Sequence, residues 1–138
     1  MKIAGNFDEF WPTAESSLGP IRKFVASDNP PYDPKFLRYL DAGHILFAAV
    51  GATSDELGSE AQLPGGASIL TDGEWVWRAD LHFYAARYHV DLPNEFKDRV
   101  EKLNYEVPAV ERDDLIRLTH QLKELRSSPT HPRTELDS

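Results

Sequence analysis

Cysteine is absent from the chain, which excludes disulfides, thiolate metal sites and cysteine nucleophiles. Long hydrophobic runs are absent as well, and no stretch approaches the roughly 18 apolar residues of a membrane span. The opening MKIAGNFDEFWPTAESS has no apolar run of the signal-peptide kind, and Asp8 and Glu9 interrupt it early. Together these absences lead to the expectation of a cytoplasmic protein. Basic clusters are scarce: the longest is Arg22-Lys23, and 15 basic side chains face 23 acidic ones for a formal charge of −8. Such a surface repels phosphate backbones, so nucleic acid is not expected as the main ligand, nor is a membrane. Catalytic loops are missing too. Gly65-Gly66 has no lysine or helix start behind it, and no Gly-x-Ser-x-Gly elbow occurs.

What is present suits one folded unit. The 138 residues, 41% apolar and 11% aromatic, are enough to bury roughly two-thirds of the unfolded surface. Residues 1–126 read as a single α+β domain. Residues 127–138, SSPTHPRTELDS, have no periodicity and read as a disordered tail.

Local signals predict a small antiparallel sheet packed with about five helices. Ile21, Phe24 and Val25 after Gly19-Pro20 suggest a short first helix, and Asp33 with Pro34 caps a second that runs to Leu40, with Gly43 at its C-terminal end. Residues 44–50, HILFAAV, form an apolar run of strand length and read as a buried central strand. A long polar loop follows over 52–67. Asp72-Gly73 between two β-rich runs predicts a two-residue hairpin turn within 67–78, pairing Leu70 with Trp75, Ile69 with Val76 and Ser68 with Trp77. Apolar residues then recur at helical spacing over 79–88, 93–104 and 111–126.

Candidate chemistry is thin. His82 and His89 lie seven apart on one helix, about 10 Å of rise, beyond the usual spacing of metal ligands. His44 opens the apolar strand, where a hydrogen bond at the strand end explains it. Asp113-Asp114 sits where a helix N-terminus favours acids, and Asp55-Glu56 has no apolar neighbour to raise a carboxyl pKa. No catalytic residue, metal or cofactor is expected, and the chain is not read as an enzyme. Trp75 and Trp77 pack onto helices, with Trp77 also a candidate interface anchor.

Charge is distributed less evenly. No lysine or arginine occurs between Arg38 and Arg78, whereas Asp41, Asp55, Glu56, Glu60, Asp72 and Glu74 do. If the 52–67 loop and the hairpin tip share one edge of the sheet, they form an acidic patch that steers a basic partner. Asp55, Glu56, Glu60, Asp72, Glu74 and Trp77 are the expected partner-binding residues.

The stretch 71–93, TDGEWVWRADLHFYAARYHVDLP, resembles a motif of small actinobacterial-type proteins reading Thr-Asp-Gly-x-Trp-x-Trp-x-x-Asp-Leu, then an aromatic helix and Leu-Pro. Proteins of this sort resemble the immunity proteins of bacterial polymorphic toxin systems. The resemblance spans about a sixth of the chain, and Arg78 stands where the pattern has proline. It implies that the chain neutralises a cognate toxin domain by covering its active site, and it transfers no functional residue. The alternative is a regulatory or scaffold domain that forms a homodimer through the leucine stripe of 115–125.

Overall fold

The computed structural model describes residues 1–12 and 17–126; the predicted tail lies outside them. The elements run β1 (Lys2–Ile3), a 3-10 turn (Ile21–Phe24), α1 (Pro34–Asp41), β2 (His44–Phe47), β3 (Ala52–Ser54), β4 (Gln62–Pro64), β5 (Ile69–Thr71), β6 (Trp75–Arg78), α2 (Leu81–Tyr88), α3 (Asn94–Lys102) and α4 (Arg112–Arg126). The architecture is α+β but departs from the expected one in three ways. It has four α-helices among the described residues, because the first predicted helix is a single 3-10 turn. The main sheet is mixed and four-stranded, ordered β1-β6-β5-β2, with β1 parallel to β6. The 52–67 loop also contains a separate two-stranded sheet, β3-β4.

Local chemistry explains the helix ends. Asp33 accepts a hydrogen bond from the Lys35 amide at 2.8 Å, and Pro34 occupies the first helical position of α1. Gly43 does not cap that helix through a left-handed backbone. A Cβ there would lie 2.9 Å from both Leu70 Cβ and Trp77 Cζ2, so it is close packing that demands glycine. In α4, Asp113 and Asp114 lie in the first turn and Lys123 and Arg126 in the last, the arrangement a helix dipole favours. Its Leu118 and Leu122 are buried within this chain, whereas Leu115 and Leu125 at the ends of the 115–125 stripe are half-buried.

The hairpin turn lies one residue later than expected: the Asp72 amide donates to the Trp75 carbonyl at 3.3 Å, with Gly73-Glu74 between them. Leu70 pairs with Trp77 and Thr71 with Val76, two residues out of the expected register. Asp72 Oδ1 accepts from the amides of both Glu74 and Trp75, and Gly73 takes φ 100°; the aspartate side chain shapes the turn. A slide by two preserves the faces. Leu70, Trp75 and Trp77 therefore still share one side.

That side carries the core. Phe96 of α3 lies 5.2 Å from the Trp75 ring, 5.5 Å from Trp77 and 6.2 Å from Tyr39, and Tyr39 stacks on Trp77 at 6.0 Å. The aperiodic N-terminal stretch adds Ala4, Phe7, Phe10 and Trp11, all buried. Because β1 takes one side of β6, the hairpin becomes the sheet centre and β2 is left at an edge. The 44–50 run is therefore not a buried central strand. Ile45 is 66% exposed and Val50 fully exposed.

Candidate functional site

The carboxylates from the acidic middle of the chain meet very different fates. Asp72 has no exposed side-chain surface. Its Oδ2 accepts from Tyr39 Oη at 2.6 Å and Arg99 Nε at 2.9 Å, while Oδ1 holds the turn. Burial, then the bond to Asp72, pushes the Tyr39 hydroxyl well above its ordinary pKa, so it stays a neutral donor. Glu74 is neutralised from two sides, by Lys2 at 2.9 Å and by Arg99 at 3.0 Å. The hairpin tip is therefore a closed ion-pair network and does not present Asp72 or Glu74 as an unpaired acidic surface.

Asp55 is buried as well. It accepts from the amides of Leu57 and Ser59 at 2.8 and 3.1 Å and from Tyr88 Oη at 2.5 Å. Burial pushes its carboxyl up, but the hydrogen bonds from Ser59, Tyr88 and Leu57 outweigh that and hold the pKa below the ordinary carboxylate value. Next to it, the Glu56 amide donates to Tyr84 Oη at 2.8 Å. Burial raises the Tyr84 pKa to about 12, so the phenol remains protonated. The β3-β4 tip is thus fastened to α2 by two tyrosines.

A pH prediction follows from the sign of the Asp55 shift. A depressed folded pKa contributes stability above the unfolded value, and that contribution is lost as pH falls through the folded one. The protection factors of the Leu57 and Ser59 amides, taken against the intrinsic exchange rate at each pH, are expected to fall on acidification below about pH 4, and Asp55→Asn should remove this dependence. Protection factors at these two amides that do not change with pH in the wild type would contradict the assignment.

Asp80 is the other buried acid, with its side chain 1% exposed. Arg78 grips it with two bonds, 3.1 Å from Nε and 2.7 Å from a terminal nitrogen, and Thr53 Oγ1 donates at 3.1 Å. Burial raises its pKa, with Arg78 opposing. A perturbed carboxyl can mark catalysis, but both of these oxygens are occupied and no substrate atom can reach them. Their work is to join the small sheet to the large one. His44 Nε2 lies 2.9 Å from the Pro108 carbonyl oxygen, and His89 ends α2 in a left-handed conformation, φ 52°. Among the described residues no three His, Asp or Glu side chains gather at metal-binding distance.

Trp77 is fully buried and donates its indole N–H to the Leu40 carbonyl at 2.9 Å. It cannot touch a partner. Of the six expected contact residues, Asp55, Asp72 and Trp77 are interior and Glu74 is ion-paired; Glu56 and Glu60 are exposed, with no paired cation among the described residues.

No family model, curated protein or solved structure matches this chain. Within the 71–93 motif, Asp72, Trp75, Trp77, Asp80 and Leu81 are all buried. No helix among the described residues is long and apolar enough to cross a membrane.

What the residue pattern missed is apolar. Ile45 and Phe47 of edge strand β2 are 66% and 41% exposed, and Val50 follows fully exposed. The Arg126 guanidinium lies 4.6 Å from the centroid of the Phe47 ring, and Thr119 and Leu122 of α4 line the same shallow cleft. Glu56 and Glu60 follow in the same cation-free stretch.

Proposed function

We propose that this chain is a non-catalytic protein-binding domain of the immunity type, which docks a basic toxin domain through β2 and the β3-β4 hairpin. The observation that carries the reading is the set of large apolar side chains, Ile45, Phe47 and Val50, exposed on and beyond a strand whose outer edge has no partner strand among the described residues. Monomers rarely leave such groups together in water, and an apolar centre with a charged rim is the usual make-up of an interface. Glu56 and Glu60 supply the acid rim, and the fastening of their hairpin to α2 reduces the ordering cost of binding. An unpaired strand edge also offers backbone hydrogen bonds to an incoming segment.

The test is co-expression with a basic toxin domain encoded beside this chain, followed by binding kinetics on the purified pair. A one-to-one complex and rescued growth are expected. Phe47→Asp with Val50→Asp should weaken affinity at least about thirtyfold, the scale of a hot-spot loss. Glu56→Lys with Glu60→Lys should lower the association rate about tenfold at low salt and flatten its salt dependence. A homodimer in light scattering that Phe47→Asp dissociates, without toxin binding, would overturn the reading.

A further inference from the structure

A separate cleft of about 270 Å³ opens on the side of the molecule built by the loop before α1, the α2–α3 connection and one face of α3. Its aromatic wall is Tyr32 stacked on Phe36, with ring centroids 4.7 Å apart and planes 13° from parallel. The wall is fixed in place. Tyr32 Oη donates to the Val90 carbonyl at 2.6 Å, and Asn29 Nδ2 donates to the carbonyls of Phe24 and His89. Tyr105 closes the other end, and the Lys35 ammonium already sits 5.0 Å from the centroid of its ring.

The charges facing this space are unequal. Asp33, Asp91, Asp98 and Glu101 contribute four carboxylates, against Lys97, the imidazole of His89 and, at the Tyr105 end, the Lys35 ammonium. Asp33 is engaged by the Lys35 amide and Asp91 by Lys97 at 3.3 Å. Asp98 and Glu101, one turn apart on α3, have no hydrogen bond or ion pair with any described residue. An aromatic, proline-lined wall facing uncompensated carboxylates favours a cation with an apolar stem, since ring faces attract cations and the stem gains from contact with the rings. Size narrows the choice further. The cleft is smaller than the roughly 300–1,000 Å³ of drug-sized sites, so one side-chain-sized group fits.

We propose that this cleft receives a single guanidinium or ammonium group on an alkyl stem, with the stem against Tyr32 and Phe36 and the charge at Asp98 and Glu101. The arginine side chain of a peptide and a free alkylguanidine share this chemistry. The site is distinct from the β2 surface and goes beyond the function proposed above.

The experiment is an NMR titration of the full chain, following backbone amides with N-acetyl-arginine N-methylamide, its neutral citrulline isostere and agmatine. The arginine probe is expected to shift the amides of His89, Asp91, Glu101 and Tyr105 saturably, binding about tenfold more tightly than the citrulline probe, a difference one favourable charge contact supplies. Asp98→Asn with Glu101→Gln should reduce that affinity about tenfold while leaving the thermal midpoint in place, because both side chains are exposed. Agmatine binding more tightly than the peptide-like probe identifies a free cation; the reverse order identifies a protein-borne arginine; either supports the site. Equal binding of the citrulline probe, absence of saturable shifts, or an unaltered affinity in the double variant overturns it. Phe47→Asp should leave this titration unchanged, so the cleft and the β2 surface can fail independently.

Discussion

Asp72→Ala is expected to destabilise the protein by about 3–5 kcal/mol, the cost of breaking a buried charge pair by removing one partner. The carboxylate has no exposed surface and four donors converge on it, from Tyr39, Arg99 and the amides of Glu74 and Trp75. Without it, Arg99 and the Tyr39 hydroxyl lose their acceptor, and the hairpin loses the side chain that shapes its turn. Urea unfolding should show a lower midpoint with an unchanged slope. Asp72→Asn separates the two roles, since Oδ1 can still accept the turn amides while the Arg99 pair is lost; its cost should fall between wild type and alanine. A loss under about 1 kcal/mol for Asp72→Ala would mean that the network contributes no more than a surface pair.

This network also shows where sequence reasoning reaches its limit. Asp33, Pro34 and the acidic start of α4 act through neighbours a few residues away, and the helices they begin are where the pattern places them. Strand order is a non-local property. Nothing in HILFAAV distinguishes a central strand from an edge strand, because that depends on the two-residue β1 pairing with β6 from the far end of the chain. The N-terminal core residues Phe7, Phe10 and Trp11 were equally hidden, since an irregular segment has no period to detect.

The acidic patch failed for a reason partly legible beforehand. An aspartate in a turn commonly uses its carboxylate on the backbone two residues ahead, as Asp55 does with Leu57 and Asp72 with Glu74. Glutamates have longer side chains and make that closure less readily, and Glu56 and Glu60 are the two that stayed outside. The neutralisation of Glu74 had no such signal, because Arg99 arrives from a helix 25 residues later. Charge reversal at Asp55 or Asp72 would accordingly report on folding. Only Glu56 and Glu60 can report on association.

Trp77→Ala is expected to cost about 3–5 kcal/mol through the cavity alone, with the orphaned Leu40 carbonyl adding to it. The indole is fully buried between Tyr39 and Phe96, and its hydrogen bond ties β6 to the C-terminal end of α1. Against the total stability of about 5–15 kcal/mol typical of such domains, this single change should lower the thermal midpoint by roughly 10–20 °C. Trp77→Phe retains most of the aromatic contact and removes the donor, so its smaller loss isolates the hydrogen bond. The measurement that decides between core and interface is paired: denaturant midpoint and partner affinity on the same variant. A core tryptophan moves the midpoint while the folded fraction still binds normally. An unchanged midpoint with weakened binding would restore Trp77 to the surface and put the sheet packing described here in the wrong order.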